Sequence, residues 1–271
     1  MQKFMCTIAL VGVLIFGSLA PAFADDDDDG VCGGSPTHAV LKAALQTVVG
    51  AGGNCGLGND MWGTVVNRDG IVCKVVFTGA VRGDQWPGSR VISAQKANTA
   101  NAFSRPSGVI GFAAPLSTAN LYSAVQPGGI LFGLQESNPV DPGVAYRGNP
   151  AHYGRPNDPM RGRRIGGVNV FGGGLALYNA TGTLVGGLGV SGDTSCTDHI
   201  IAWKVRHALN LDNVPGGVSP TGDDNIIHDV VVDPVTGHTV SAGGFGHPSC
   251  DATATAVANN LPVTHPVGPT P

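Results

Sequence analysis

Charged residues are scarce in this sequence. Asp, Glu, Lys and Arg account for only 13% of the 271 residues, and the formal net charge is −4. Five of the acidic residues form one run at residues 25–29, so the rest of the chain is close to neutral. Nucleic-acid-binding domains typically carry a basic patch, and the sequence has none. We therefore expect no nucleic-acid partner.

Long apolar runs are also few, and the chain has just one of note, close to its N-terminus. Residues 8–20 follow Lys3 and precede Ala22-Phe23-Ala24, and the run is shorter than the roughly 20 residues that cross a bilayer. This order predicts a secretory signal peptide at residues 1–24 and an acidic leader at 25–35. The alternative is an uncleaved membrane anchor. We expect a periplasmic or secreted protein that has no membrane segment after cleavage.

Closely spaced metal and redox motifs are missing. The sequence contains neither a Cys-x-x-Cys pair nor a His-Glu-x-x-His motif, so spacing does not indicate a redox centre or a structural zinc site. Cysteines of an exported protein are expected to form disulfides. We expect Cys196–Cys250 and Cys32–Cys55, with Cys73 as a buried thiol in an apolar run. Cys32–Cys73 is the rival pairing.

Glycine is abundant, with 42 residues, and it punctuates a mixed pattern of helices and hairpins. Helical spacing follows Ser35-Pro36 and recurs over residues 90–103. Residues 67–70 and 179–182 each carry a turn signal between strand-like runs. A further helix is capped by Thr197 or Asp198 and continues to Leu209. This order predicts an α+β domain at residues 36–215, a twisted antiparallel sheet flanked by helices.

Three further segments differ from this pattern. Residues 135–167 are rich in Pro, Gly, Asn and Arg, which predicts a long ordered loop, with residues 149–164 as a candidate interface arm. Residues 216–260 form a C-terminal extension in which 226–232 and 239–243 favour a strand pair. Residues 261–271 are predicted to be a tail.

The glycine-rich stretch at residues 187–192 matches Gly-x-Gly-x-x-Gly, but it lies within the second strand of a hairpin. A dinucleotide site needs that pattern between a parallel strand and a helix, so the match is weak. Glycine within a strand marks close approach of a ligand or of another backbone segment. Just beyond it, Cys196, Asp198 and His199 allow two interpretations, a catalytic cluster or a helix cap with a structural disulfide.

Three motifs, taken in order, resemble the GlcG/HbpS family of haem-binding proteins, which includes the C-terminal domain of PduO-type proteins. They are Asn-Arg-Asp-Gly at 67–70, Ser-Ala-Gln-Lys-Ala-Asn-Thr-Ala at 93–100 and Leu-Val-Gly-Gly-Leu-Gly-Val-Ser-Gly at 184–192. The resemblance covers residues 36–210. It implies an α+β fold with profilin-like layering, a homo-oligomer, and haem or a small organic molecule as ligand.

A haem site requires an apolar slot, a cation near the propionates and an axial ligand. For such a site, His199 is the candidate ligand of the iron, and the candidate propionate partners are Arg163, Arg164 and Arg206. The slot would be lined by Gly173, Gly189 and Gly192.

The resulting hypothesis is an exported haem- or tetrapyrrole-binding protein that acts as a binder or sensor accessory. Two alternatives remain. One is a small-molecule enzyme that uses Cys196, Asp198 and His199, and the other is a structural oligomer without a ligand.

Overall fold

The computed structural model describes residues 30–106 and 115–268. The predicted signal peptide, residues 25–29 of the acidic leader and residues 269–271 of the predicted tail lie outside these ranges. A four-stranded antiparallel sheet in the order β2-β1-β4-β3 forms the centre of the domain. Its strands are β1 (Trp62–Asn67), β2 (Val72–Phe77), β3 (Gly174–Tyr178) and β4 (Leu184–Ser191). The predicted α+β class is confirmed.

Helices cover both faces of this sheet. The helices are α1 (His38–Gly50), α2 (Ser89–Phe103), the single turn α3 (Pro142–Ala145), α4 (Ser195–Ala208) and α5 (Ala252–Thr264). Trp62 and Val66 of β1 pack with α2, whereas Val65 packs in the cluster that contains α1 and α4. Successive side chains of a strand point to opposite faces, so α2 lies on one face and α1 and α4 lie on the other. Helix α5 packs against α4.

Local hydrogen bonds explain where the helices begin. Thr37 caps α1 because its hydroxyl accepts from the amide of Val40 at 3.2 Å. Helix α4 begins at Ser195, earlier than predicted, because the hydroxyl of Thr194 accepts from the amide of Thr197 at 3.3 Å. The first turn of α4 therefore contains both Cys196 and Asp198.

The insertion at residues 135–167 packs into the hydrophobic core of the main domain. It contains α3 and a single 3₁₀ turn at Pro150–His152. Ala145, Met160 and Ile165 are fully buried in the cluster that also contains Trp62 and α2. Asp158 forms a buried ion pair with Arg90 of α2. These contacts hold the insertion on the sheet face that α2 covers.

The C-terminal extension forms a strand pair and an additional helix. Strands β5 (Val230–Val232) and β6 (Thr239–Ser241) form a separate two-stranded sheet, within the predicted segments. The prediction missed α5, which continues to Thr264 and so includes the start of the predicted tail. Its apolar stripe is thin and consists of Ala254, Ala258 and Leu261. Asp251 caps it by accepting from two amides at 2.8 Å.

Two disulfides connect distant segments. Cys196–Cys250 forms as predicted and links α4 to the residue before the cap of α5. The predicted Cys32–Cys55 pair is wrong, because Cys32 bonds to Cys73 of β2. The leader runs beside the β1–β2 hairpin, where Asn67 donates to the carbonyl of Val31 at 2.8 Å, and this course brings Cys32 to Cys73. Within the described ranges no helix is both long and apolar enough for a bilayer crossing.

Candidate functional site

The glycines of β4 lie directly beneath α2. A Cβ atom on Gly189 would lie 1.9 Å from the carbonyl oxygen of Ser93, and one on Gly187 would lie 2.3 Å from that of Ala97. Both oxygens belong to the α2 backbone, so the helix rests on the strand with no space for a ligand between them. The close approach that the sequence indicated is therefore made by backbone, and the predicted slot at Gly189 is occupied by protein.

The other two predicted slot glycines are enclosed in the same way. A Cβ atom on Gly173 would lie 2.5 Å from the carbonyl oxygen of Val190. One on Gly192 would lie 2.5 Å from that of Asp60. Neither position borders an open slot in the described fold, which corrects the expectation that these glycines line a ligand site.

A buried ion pair lies where α2, β4 and α4 meet. Lys96 Nζ is 2.6 Å from Asp198 Oδ2 and also donates to the carbonyl of Val190 at 3.2 Å. Asp198 Oδ1 accepts from the amides of Gly192 and Asp193 at 3.1 and 2.9 Å. Burial raises the pKa of Asp198 to about 6, although Lys96 acts in the opposite direction. This pair fixes the loop between β4 and α4.

His199 is fully buried under the C-terminal extension. Its Nε2 lies 3.2 Å from Asn225 Oδ1 and 3.1 Å from the amide nitrogen of Ile226. Burial lowers the pKa of His199 well below its usual range, so the ring is neutral. Residues of the extension occupy the space that a haem would need to reach this ring. The structure therefore gives His199 a role in the core rather than at an open surface.

Two of the predicted propionate partners lie apart and have other contacts. Arg206 is fully buried, and its guanidinium makes two 2.7 Å contacts with the Asp224 carboxylate and a 3.1 Å contact with the carbonyl of Ala176. Arg164 is exposed and donates to the carbonyl of Asp69 at 2.8 Å, beside the β1–β2 turn. The fold brings neither of them to a shared site with an open face of His199.

The proposed catalytic cluster lacks an available nucleophile. Cys196 is bonded to Cys250, so its sulfur is not a thiolate. The carboxylate of Asp198 faces Lys96 and two backbone amides, and the ring of His199 faces residues 225–226. Each member is thus engaged in holding α4, which favours the interpretation as a helix cap with a structural disulfide.

An open groove lies elsewhere, at the edge of the sheet beyond β2. It has a volume of about 540 Å³ and is bordered by α1, the end of β2, the loop at residues 79–82 and residues 150–156 of the insertion. Phe77, Val81 and Pro156 contribute apolar wall. Among its lining residues, three carry positive charge, Lys42, Arg82 and Arg155, and none carries a carboxylate. Such a groove can accommodate a partly apolar anion.

The part of the groove wall that the insertion forms is held in place by contacts with α1 and α2. The Arg90 guanidinium lies 3.6 Å from the ring centre of Tyr153, a groove residue, and pairs with the Asp158 carboxylate. Asp158 also accepts from the amide of Gly154 at 2.8 Å. The ring of His38 on α1 reaches the same segment, with Nε2 3.0 Å from the carbonyl oxygen of Gly154. These contacts position the wall before any ligand arrives.

The sequence does not indicate this groove, because its residues come from three distant segments. Lys42 lies on the first helix, Arg82 on the loop after β2, and Arg155 in the insertion. The signal that could have indicated it is the unusual length of the Pro- and Gly-rich segment at residues 135–167, since long ordered loops are often functional.

Comparisons with known proteins find one matching family model and several similar solved structures. The family model described as haem degrading protein HbpS-like matches residues 38–206, more than half of the chain. The crystal structure of a PduOC:heme complex is 24% identical with a TM-score of 0.42, covering 64% of this chain and 91% of that chain. Klebsiella pneumoniae protein ORFY is 22% identical with a TM-score of 0.42, covering 64% and 89%.

A double mutant of HbpS from Streptomyces reticuli is 18% identical with a TM-score of 0.40, covering 71% of this chain and 99% of that chain. No curated protein matches the chain significantly. The motifs at residues 67–70, 93–100 and 184–192 all fall within the matched range, and they form the first hairpin, α2 and β4. The chain belongs to the family of HbpS-like haem-degrading proteins.

Proposed function

We propose that this chain is an exported protein that binds haem or a related tetrapyrrole in the groove beyond β2. The observation that carries the proposal is the composition of that groove, an apolar wall with three cations and no carboxylate among its lining residues. Membership of a family described as haem degrading supports the choice of ligand. The volume of about 540 Å³ lies within the range of small-molecule and cofactor sites, about 300–1,000 Å³.

The donor set of the groove suits the parts of a haem. Lys42, Arg82 and Arg155 offer partners for two propionates, and the exposed Val81 and Pro156 offer apolar surface for the ring. Tyr153 contributes a phenol, a group that binds ferric iron in some haem proteins. Bound haem would supply a redox-active iron centre. The chain would hold it by its propionates and shield one edge from water.

Export and a non-enzymatic role complete the proposal. The signal-peptide pattern supports export, and the two disulfides are compatible with an oxidising compartment. We propose a binder or the ligand-binding accessory of a sensor rather than a thiol enzyme, since Cys196 is in a disulfide. Assembly into a homo-oligomer stays a prediction, which light scattering on the purified protein tests.

Haemin titration followed at the Soret band tests the site. The Arg82→Ala/Arg155→Ala variant should bind haemin at least about tenfold more weakly, equivalent to about 1.4 kcal/mol. Arg164→Ala is the matched control, since it removes an exposed arginine outside the groove and should retain wild-type affinity. Tyr153→Phe keeps the ring over Arg90 and should change the ferric spectrum. Wild-type affinity in the double variant would exclude the groove.

A further inference from the structure

A second group of side chains with metal-binding chemistry surrounds the Cys196–Cys250 disulfide. The ligand atoms of Cys196, His228 and His247 all lie within 4.8 Å of one another. Cys250 Sγ is bonded to Cys196 Sγ at 2.05 Å and so lies at the same place. The four residues come from the first turn of α4, the segment before β5, the segment after β6 and the residue before the cap of α5.

The ring of His247 is already oriented as metal-binding imidazoles are. Its Nδ1 lies 2.7 Å from the carbonyl oxygen of Pro248, so Nδ1 carries the proton and Nε2 holds a lone pair. That Nε2 is buried and makes no hydrogen bond with any described residue, in a side chain that is 2% exposed. Metal-bound histidines typically donate their other ring N–H to a backbone carbonyl in this way.

The disulfide prevents this group from binding a metal, since a disulfide sulfur is not a thiolate. Cys250 is exposed, so an attacking thiol can reach this bond from solvent, whereas Cys32 and Cys73 are both buried. Cys250 Sγ also accepts from the amide of Cys196 at 3.3 Å, at the start of α4. A helix N-terminus stabilises a thiolate, so reduction would leave the sulfurs in a favourable place to lose their protons.

We propose that reduction of the Cys196–Cys250 disulfide creates a Cys₂His₂ site for Zn²⁺, formed by both sulfurs with His228 and His247. Tetrahedral zinc has Zn–S distances of about 2.3 Å and Zn–N distances of about 2.0 Å, so neighbouring ligand atoms lie roughly 3.3–3.8 Å apart. The ligand atoms of Cys196, His228 and His247, which now lie within 4.8 Å of one another, then need to approach by up to about 1 Å. The two sulfurs, now bonded at 2.05 Å, need to separate to about 3.8 Å once the disulfide is reduced.

The chemistry balances with a dithiol as reductant. The dithiol transfers two electrons and two protons to the protein disulfide and becomes a disulfide itself, which leaves two cysteine thiols. Binding of Zn²⁺ by both sulfurs then releases two protons to solvent. The disulfide and the metal are mutually exclusive, so bound zinc marks the reduced state of this cysteine pair.

Cobalt(II) binding to the full mature chain tests the proposal, because tetrahedral cobalt–thiolate sites absorb in the visible range. Protein reduced with dithiothreitol and desalted without oxygen should bind one further equivalent of Co²⁺ relative to the oxidised protein, and Zn²⁺ should displace it. The His228→Ala/His247→Ala variant should lose this equivalent. His238→Ala, an exposed histidine beside β6, is the matched control and should retain it.

Two results would overturn the proposal. One is an unchanged cobalt spectrum on reduction, and the other is a spectrum that survives loss of both His228 and His247. If the reduced chain unfolds without metal, circular dichroism decides the question. Zn²⁺ should restore the native spectrum in the wild type but not in the double histidine variant, because a ligand that binds only the folded state stabilises it. Failure to restore it in the wild type would also reject the site.

Discussion

Replacement of Gly189 by alanine tests whether α2 or a ligand occupies the space beside the glycines of β4. The added Cβ would lie 1.9 Å from the carbonyl oxygen of Ser93 and 2.5 Å from the amide nitrogen of Ala97. Both are backbone atoms of α2, which cannot rotate away as a side chain can. An ordinary contact of about 3.4 Å requires α2 to move by about 1.5 Å relative to β4.

Such a movement would disturb the whole interface between α2 and the sheet. Ala94, Ala97 and Ala100 of α2 are fully buried, so lifting the helix opens space along its contact face. Overpacking of a core typically costs about 1–3 kcal/mol. Because the clash is with a helix backbone, we expect Gly189→Ala to lose about 3 kcal/mol, a large share of an ordinary stability of about 5–15 kcal/mol.

Urea unfolding measures this loss. A decrease of about 3 kcal/mol lowers the midpoint by roughly 1 M or more, given usual slopes of about 1–3 kcal/mol/M. Gly88→Ala is the matched control, since Gly88 precedes α2, has a φ of −63° and has no atom within 4 Å of a built Cβ. Equal midpoints for the two variants would refute the packing explanation. Weaker haemin binding by Gly189→Ala at unchanged stability would instead favour a ligand slot at β4.

Three further predictions concern groups buried by the fold. Asp198→Asn leaves Lys96 charged and unpaired, so it should lower the free energy of unfolding by about 3–5 kcal/mol. Adding Lys96→Met should recover most of this loss, as measured by urea unfolding. A double variant no more stable than Asp198→Asn would contradict the pairing. Non-reducing peptide mapping should find Cys32 linked to Cys73, and losing that 41-residue cross-link should cost about 4 kcal/mol. Because burial lowers the pKa of His199, the unfolded chain binds a proton that the fold excludes. The stability that this group contributes is therefore lost as pH falls below about 6.5. In urea unfolding, the free energy of unfolding of His199→Gln should decrease less steeply with falling pH than that of the wild type. Equal pH dependence in the two proteins would contradict the lowered pKa of His199.

Local patterns predicted the parts of the fold that depend on near neighbours. The two hairpins follow turn signals at residues 67–70 and 179–182, and Gly70 adopts the left-handed φ of +74° that such a turn requires. Helix α2 follows from its alanine spacing. Helix α5 was missed because Ala254, Ala258 and Leu261 form a weak apolar stripe whose burial depends on α4.

The candidate sites depended on long-range contacts and were predicted less well. A glycine in a strand indicates close approach but does not tell which group approaches, and at Gly189 it is α2. The sequence places His199 near the start of a helix, but it does not show that residues 225–226 cover the ring. No metal motif was visible in the sequence, because Cys196, His228 and His247 are brought together only by the fold.

By itself, the sequence determined the α+β class, the family and the hairpins, because these depend on local periodicity, turn chemistry and motifs in a fixed order. Tertiary structure alone decided that α2 fills the glycine surface, that Cys32 pairs with Cys73, and that Lys42, Arg82 and Arg155 border one groove. The physical reason is that burial and pairing between distant segments depend on how the chain packs in three dimensions. Local spacing in the sequence does not tell how close two distant segments lie in space.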